Sequence, residues 1–573
     1  MRPGAAEGDE LRRLRARLRL LSVVFLLAFA SVGIRLVDLE RRYGGEERAA
    51  GSGLEEQRGP TGAWRRDLRD RNGRLVATSV PGLALAVDPS RLPDRRQAAR
   101  ALARVLSGVE EAELRKRFRA GKRFAWVKRR LSPAEQRAVQ ELGLPGLLFL
   151  PAARRVYPQR SLLAHLLGGV DVDGRGLAGV EFALDRTLTD PRSEEALRLA
   201  VDVRVQQLLR EELLAAYRRF RAKGACGLVL DVRSGELLAL ASLPDFDPNR
   251  FAEATPEQRR NRCTGSVYEL GSLFKVITAA AALGSGRVDL ADRFDATQPL
   301  RIGRNRIDDD HAKRRWLSVP EILAFSSNIG IVQMSFAAGA EVQRRYLERL
   351  GLRDPLRVEL AAREQPLWPR EWKDIVLATV AFGHGIAVTP LHFARAVAAL
   401  VGDGRLRRAT LVKGGGGVLR DLELPPQLIR DLRFLLWLTV ERGTGQRARV
   451  PGYLVGGKTG TADKPLPGGR GYRSGEVVSS FVGLFPIEDP RYLVLVLLDE
   501  PQGTEATFGF RYGGWTAAPA VGRVIARAGP LLGVPPSTPR ARRALLARLQ
   551  VYPVVNGRTG RREEGFAALR PGG

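Results

Sequence analysis

Residues 268–275, Tyr-Glu-Leu-Gly-Ser-Leu-Phe-Lys, constrain the fold of this chain most, because they end a polar segment and open a helix. An apolar, alanine-rich run follows and stops at Gly284, which predicts a helix that begins at or near Ser272. Residues three apart share a helix face, so Lys275 is expected beside the Ser272 hydroxyl. A buried lysine with a lowered pKa can take the proton that a nucleophilic serine must lose. The two residues are therefore a candidate catalytic pair.

A serine three places before a lysine is weak evidence alone, because chance produces such pairs and a serine near a helix start is usually a cap. Two further motifs follow it, Ser326-Ser327-Asn328 and Lys458-Thr459-Gly460-Thr461. The order Ser-x-x-Lys, Ser-x-Asn and Lys-Thr-Gly is the signature of the serine enzymes that penicillin acylates. The spacings of about 50 and then about 130 residues make coincidence improbable.

The first two motifs supply the groups that acyl transfer needs at the reacting bond. Ser272 is expected to attack a peptide carbonyl, with Lys275 as the base that activates it. Ser326 is expected to relay a proton to the leaving amine, and Asn328 to hold Lys275 and the substrate amide.

The third motif is expected to bind the substrate. Lys458 contributes positive charge that faces a substrate carboxylate, with the hydroxyls of Thr459 and Thr461 as further ligands around Gly460. The backbone N–H groups of Ser272 and Thr461 are the expected oxyanion hole.

With these motifs, the chain resembles the class B penicillin-binding proteins, and most closely those of the cell-division type. The resemblance extends from residue 20 to about residue 528. Two departures are Arg65-Arg66, where Arg-Gly is common in the family, and Leu270, where proline is common. The other stretches that carry the resemblance are residues 70–73, 174–181, 245–249, 382–385, 388–390, 441–445 and 480–486.

The resemblance implies an α+β fold, in which a serine β-lactamase-like transpeptidase domain has an antiparallel sheet flanked by helices. It implies monofunctional peptidoglycan D,D-transpeptidase activity on the D-alanyl-D-alanine end of a stem peptide, with no cofactor or metal. The acceptor is an amine on a neighbouring strand, and β-lactams acylate the same serine. Because nothing before Asp202 resembles a glycosyltransferase module, the expected partners are a membrane glycosyltransferase of the shape-elongation-division-sporulation family and other division proteins.

The N-terminus predicts attachment to the cell inner membrane. Five arginines between residues 12 and 19 come directly before an apolar run over residues 20–37, which is about the length that spans a bilayer. The positive flank predicts a single-pass anchor with a cytoplasmic N-terminus and a periplasmic bulk. A cleaved signal peptide is the alternative, but the apolar run continues beyond its candidate site at Ala28-Phe29-Ala30. The predicted divisions are a basic segment 1–19, the anchor 20–37, a non-catalytic pedestal or dimerisation domain 38–201, the transpeptidase domain 202–535 and a tail 536–573.

Composition adds limits rather than a function. The net charge of +30 is spread along the chain without a recognisable nucleic-acid module, so we expect no nucleic-acid partner. Attraction to anionic envelope polymers is a hypothesis for this charge. Cys226 and Cys263 lack metal-ligand spacing, and two ordinary thiols are expected rather than a pair, although pairing stays open.

Periodicity predicts one helix-flanked antiparallel sheet whose strands come from both ends of the catalytic domain, with the nucleophile helix packed on its face. The predicted elements are a helix over 202–220, strand pairs 225–232 with 237–242 and 477–485 with 492–498, a last helix over 519–528, a turn at 70–73 and a capping box at 132–135.

Three other functions fit parts of the pattern. An elongation-type transpeptidase would carry the same motifs. A D,D-carboxypeptidase or β-lactamase would differ only in admitting water as the acceptor, and the large pedestal argues against it. An envelope scaffold or β-lactam sensor would keep the fold alone, whereas every reacting side chain is retained here.

Overall fold

The computed structural model describes residues 30–33, 64–119, 121–361, 363–466 and 471–555. They form two compact units, residues 81–153 on the one hand and residues 64–80 with 154–555 on the other. Within the described residues, no helix is both long enough and apolar enough to cross a bilayer. The predicted anchor lies outside those residues except for 30–33, which are helical. The predicted domain boundaries stay predictions.

The smaller unit combines strands with three helices around one apolar core. Residues 83–87 of the strand Leu75–Val87 pair antiparallel with Ala125–Leu131. The predicted capping box is confirmed, because the Glu135 N–H donates to Ser132 Oγ at 3.2 Å and the Ser132 N–H donates to Glu135 Oε2 at 3.0 Å. The helices of this unit are Arg95–Val105, Glu111–Arg117 and Pro133–Glu141.

In the larger unit, the predicted turn at 70–73 is confirmed. The Asp70 carboxylate accepts the N–H groups of Asn72 and Arg74 at 2.9 and 2.8 Å, and Gly73 has a φ of +89°. This turn joins Leu68–Arg69 to Leu75–Val87. Local side-chain hydrogen bonds of this kind make Asp-x-Asn-Gly a turn by itself.

A buried ion network joins Arg65, Arg155 and Glu181 in the same unit. The Glu181 carboxylate accepts hydrogen bonds from Arg65 and Arg155, each at 2.7 Å, and all three side chains are at most 1% exposed. Arg65 also donates to the carbonyls of Gly174 and Glu181. Arg65, which matches the common arginine of the family, is therefore a core residue, stabilised because its charge is paired and hydrogen-bonded. The departure itself is Arg66, which is only half-buried and donates to the Glu195 carbonyl.

The catalytic sheet has five antiparallel strands. They lie in the order Gly456–Pro465 (β3), Tyr472–Phe485 (β4), Tyr492–Asp499 (β5), Gly224–Asp231 (β1) and Leu237–Leu243 (β2), so strands from both ends of the domain meet, as predicted. Both strand pairs predicted from the sequence are confirmed. Strand β3, which carries the Lys-Thr-Gly motif, is at the edge of the sheet.

Helices cover both faces of the sheet because successive side chains of a strand point to opposite faces. Along β5, Leu495 packs in the core that contains the helix Lys275–Gly284. Val494 and Val496 pack in a second core, with the helices Val203–Arg219 and Ala517–Leu531. The predicted helix over 202–220 is confirmed. The helices used below are α1 Val203–Arg219, α2 Lys275–Gly284, α3 Val319–Phe325, α4 Asn328–Ala338, α5 Pro426–Glu441, α6 Ala517–Leu531 and α7 Pro539–Val551.

Most of the remaining elements are short, but the helix Pro390–Val401 has twelve residues and is buried throughout. The further strands are Leu147–Val156, Gly169–Val170, Gly176–Ala178, Leu197–Arg198, Arg293–Asp295, Leu300–Ile302, Asn305–Ile307, Trp316–Ser318, Arg405–Arg407 and Val418–Asp421. The further helices are Ala164–Leu167, Gly179–Ala183, Asp185–Leu188, Pro256–Arg259, Ala340–Arg349, Asp374–Ala381 and Pro390–Val401.

The expectation of two unpaired thiols is wrong. Cys226 on β1 and Cys263 form a disulfide with a Cα–Cα distance of 5.4 Å, across 37 residues of sequence, and both are fully buried. No local spacing signals this pair, because Cys226 lies on β1 and Cys263 in the segment after β2, and only the fold brings them together. The bond ties the sheet to the segment that leads to Ser272.

We predict that replacing both cysteines by alanine lowers the free energy of unfolding by about 2–4 kcal/mol, since the bond closes a loop in the unfolded chain. Denaturant unfolding of the oxidised wild type and of the double variant measures this. Reduction should destabilise the wild type and leave the variant unchanged. Equal unfolding of the oxidised and reduced wild type would contradict the prediction.

Candidate active site

Ser272 lies in a tight 3-10 turn, residues 271–274, that leads directly into α2. Lys275 is the first residue of α2, and its N–H donates to the Ser272 carbonyl. The helix therefore begins where the sequence predicts, but through a tighter turn. Gly271 has a φ of +53°, and a Cβ on it would lie 2.2 Å from the Thr461 carbonyl oxygen. The turn is thus packed directly against β3.

The side chains of the three predicted motifs meet at Ser326. The Lys275 Nζ donates to Asn328 Oδ1 at 2.7 Å, to Ser326 Oγ at 3.2 Å and to the Ser326 carbonyl. The Lys458 Nζ donates to Ser326 Oγ at 2.8 Å. One hydroxyl therefore lies between two lysines that are 183 residues apart in the sequence. Two amines on either side of one hydroxyl support the predicted role of Ser326 in proton transfer.

Both lysines are fully buried, which disfavours their charged forms. Burial lowers the pKa of Lys275 to about 7, although the carboxylates of Asp309 and Asp310 act in the opposite direction. Burial and the neighbouring Lys275 hold the pKa of Lys458 well below its ordinary value. Near neutral pH a large fraction of Lys275 is uncharged, and an uncharged amine can accept a proton from a serine.

Ser326 occupies a backbone corner between α3 and α4. It has a φ of +60°, a left-handed conformation that is uncommon for residues other than glycine. Such a conformation persists where surrounding contacts hold it, and it is often found at functional sites. Here it ends α3, so that α4 can begin at Asn328 only two residues later.

Asp309 holds this corner, although it is not among the site residues predicted from the sequence. Its carboxylate accepts the Ser327 hydroxyl at 2.7 Å, the Ile329 N–H at 2.9 Å and the Asn328 N–H. A carboxylate at a helix start satisfies free N–H groups and is favoured by the helix dipole. The available signal was a run of three aspartates, residues 308–310, in a strongly basic chain.

We predict that Asp309→Ala lowers the rate of Ser272 acylation by penicillin about 10- to 100-fold, because it removes hydrogen bonds to a charged group. Asp310→Asn is the matched control, since the neighbouring carboxylate is exposed and also acts on the Lys275 charge. Stopped-flow labelling measures both rates. An equal loss in the two variants would show that charge, and not the hydrogen bonds to the corner, is responsible.

The third motif forms the edge strand next to the nucleophile turn. A Cβ on Gly460 would lie 2.7 Å from the Leu270 carbonyl oxygen, so a side chain there would displace the turn. The Thr459 and Thr444 hydroxyls are 2.8 Å apart, and Thr461 Oγ1 accepts the Gly513 N–H at 3.2 Å. Thr459 is buried and its hydroxyl is hydrogen-bonded to Thr444, whereas Thr461 is only half-buried.

All eight residues proposed from the sequence thus lie on elements of one site. Ser272 and Lys275 come from the start of α2, Ser326 and Asn328 from the α3–α4 corner, and 458–461 from β3. The roles of these residues remain predictions, which the arrangement supports. Thr444, which the sequence analysis assigned only to a stretch of resemblance, contacts the site through Thr459.

Comparison with known proteins identifies the domains and the family of this chain. The penicillin-binding protein transpeptidase domain matches residues 225–526, and the penicillin-binding protein dimerisation domain matches residues 60–188. The probable peptidoglycan D,D-transpeptidase FtsI of Caulobacter vibrioides is 41% identical over 530 residues, which are 90% of this chain and 89% of that protein. The peptidoglycan D,D-transpeptidase FtsI of Escherichia coli is 30% identical over 80% of this chain and 82% of its own length.

The fold agrees as well. The crystal structure of a peptidoglycan synthetase from Bifidobacterium adolescentis superposes with a TM-score of 0.65 at 22% identity, over 84% of this chain and 97% of that one. At that identity the likeness concerns the fold alone. The domain matches and the two FtsI relatives show that the chain belongs to the class B penicillin-binding proteins, in the transpeptidase group of the cell-division type.

Proposed function

We propose that this chain crosslinks peptidoglycan stem peptides during septal wall synthesis, through a covalent acyl-enzyme on Ser272. The observation that carries the proposal is the position of the Ser326 hydroxyl between the Lys275 and Lys458 amines, next to the nucleophile turn. An acyl transfer needs a base at the nucleophile and a proton donor at the leaving amine. The two lysines and the serine between them can supply both.

In the acylation step, the Ser272 oxygen bonds to the carbonyl carbon of the penultimate D-alanine while uncharged Lys275 takes the hydroxyl proton. The bond to the terminal D-alanine nitrogen breaks, and Ser326 passes a proton to that nitrogen from the lysines. Free D-alanine leaves. In the second step, an acceptor amine attacks the ester, loses a proton to the same relay and releases Ser272. A β-lactam would form its own ester on the same serine, and the nitrogen of the broken lactam bond would stay attached to the acyl group, which makes the chain a β-lactam target.

Strand β3 is the proposed binding edge for the donor peptide. As the last strand of the sheet, it can pair with an extended peptide through backbone hydrogen bonds. We place the oxyanion hole at the N–H groups of Ser272 and Thr461, since the nucleophile turn packs on this part of β3. A substrate carboxylate near Lys458 would favour the charged form of that lysine, so binding and charge would be linked. Thr461 and Gly460 complete this edge.

We place the catalytic domain in the periplasm, held by an inner-membrane anchor at 20–37. The disulfide between Cys226 and Cys263 supports an oxidising compartment, because such bonds are rare in reducing ones. The expected partner is a membrane glycosyltransferase of the shape-elongation-division-sporulation family, with other division proteins. An elongation role remains the second candidate.

A reconstituted reaction tests the proposal. The full-length chain, a polymerising glycosyltransferase and lipid-linked precursor should yield crosslinked dimeric muropeptides, and Ser272→Ala should yield none above background. Crosslinks at the wild-type level with the variant would overturn the role of Ser272. Depletion in cells separates the two candidate roles, since a division enzyme gives filaments whereas an elongation enzyme gives rounded cells.

A further inference from the structure

The chain continues past the matched transpeptidase domain into a docked C-terminal segment. We call residues 537–555 the C-terminal strap. Its helix α7 is amphipathic, with Leu545 and Leu549 on one face, and these two residues and Tyr552 just after the helix pack against the core that includes α5. Chain termini are usually poorly ordered unless contacts tie them down. The predicted tail 536–573 therefore contains, up to residue 555, a part of the catalytic unit.

The strap is fixed at its beginning and along α5. The Ser537 N–H donates to the Gly452 carbonyl at 2.8 Å, and Ser537 Oγ accepts the Leu454 N–H at 2.9 Å. Further along, Arg548 donates to the Arg430 carbonyl at 3.1 Å and pairs with the carboxylate of Asp431. Its guanidinium also lies 4.7 Å from the centre of the Phe434 ring. These contacts join α7 to α5 by charge as well as by apolar packing.

The end of the strap completes a buried ion pair at the start of α3. Glu321, whose side chain is 4% exposed, accepts two hydrogen bonds from Arg315 at 2.8 and 3.0 Å. The Val555 N–H donates to the same carboxylate at 3.1 Å, and the Val555 carbonyl accepts Arg315 Nη2 at 2.6 Å. Glu321 also accepts the Ser318 N–H at the helix cap. Residue 555 therefore hydrogen-bonds both members of the pair.

Two structural connections lead from the strap to the reacting groups. Helix α3, which Glu321 caps, ends at Ser326 after only seven residues. The residues just after α5 contact the other end of α3, because the Thr444 N–H donates to the Ala324 carbonyl at 3.0 Å. Thr444 in turn contacts Thr459 on β3. A seven-residue helix has little stability by itself, so these tertiary contacts fix its direction.

We propose that the C-terminal strap is a positioning element for acylation, which holds α3 so that Ser326 stays between Lys275 and Lys458. The proposal rests on the proposed function of that site. The strap does not touch the substrate. It acts through Glu321 and α5, and its loss would let the Ser326 corner shift relative to the two lysines.

Two truncations of the full-length chain test the proposal. A chain that ends at Tyr552 keeps the helix but loses the Val555 contacts, whereas a chain that ends at Arg558 keeps the whole strap and is the matched control. We expect the first to be acylated by penicillin about tenfold more slowly per folded molecule, and the second at the wild-type rate. We also expect the pH of half-maximal acylation to move only in the first, because Ser326 and Asn328 hold Lys275.

Arg548→Ala, compared with Arg543→Ala on the exposed face of α7, keeps the test decisive if the shorter chain does not fold. A slower rate and a moved pH profile in Arg548→Ala alone would support the proposal. Wild-type rates and pH profiles in both the chain that ends at Tyr552 and Arg548→Ala would overturn it. A loss of rate that only follows the unfolded fraction of these two variants would overturn it as well. Absence of acylation in the wild type would instead contradict the proposed function.

Discussion

Replacement of Ser272 by alanine is expected to abolish the covalent penicillin adduct and to lower crosslinking at least about 1,000-fold, since residues that act as one catalytic unit lose nearly all of its effect together. The substitution removes one oxygen from a half-buried position at the start of α2. The fold should therefore persist. Intact-protein mass spectrometry after exposure to penicillin measures the adduct.

Ser327→Ala is a useful comparison, because Ser327 lies in the second motif but its hydroxyl caps α4 and donates to Asp309. The Ser327→Ala variant should still form the adduct on Ser272, but more slowly than the wild type. An adduct of unchanged mass and yield in Ser272→Ala would show that another residue is the nucleophile.

The second large effect concerns Lys275. Its folded pKa of about 7 lies below the ordinary lysine value because of burial, and only the uncharged amine can accept the Ser272 proton. The acylation rate should therefore rise with pH and reach half its maximum near pH 7. Lys275→Gln keeps a polar side chain but no base, and should lose about 100- to 10,000-fold in rate.

Rates of penicillin acylation between pH 5.5 and 9 check both statements. The Gln variant should also lose the rise near pH 7, which distinguishes loss of the base from a displaced nucleophile. A flat wild-type profile, or a rise that persists in the variant, would assign the titration to another group. Thermal unfolding of the variant at each pH is the control, because removing a buried amine also changes stability.

The sequence predicted the elements of the site better than the contacts that hold it. Ser272, Lys275 and Lys458 could be found because acyl transfer restricts their types and order along the chain. The αL corner at Ser326 and the carboxylate of Asp309 could not, because hydrogen bonds across about 20 residues leave no periodic signal. The depressed lysine pKa values depend on burial by several elements and also require the fold.

The sheet was predictable for a similar reason. Strand β5 is a short continuous apolar run whose neighbouring residues Val494 and Leu495 pack in two different cores, and a run of this kind between turn residues predicts a buried strand. Pairing between distant segments is less visible. The bond between Cys226 and Cys263 and the contact of Val555 with Glu321 both join segments that no local pattern relates. The sequence for that reason predicts only a tail over residues 536–573, where the structure has the strap.

The central claim is that the acyl group on Ser272 passes to an amine. The most direct test incubates the purified chain with a soluble donor that ends in D-alanyl-D-alanine and a D-amino acid acceptor, and separates the products by mass. We predict an exchange product that increases with acceptor concentration, at the expense of the hydrolysed donor, and that is absent from Ser272→Ala. Hydrolysed donor alone, in an amount independent of the acceptor, would contradict the account and identify a carboxypeptidase.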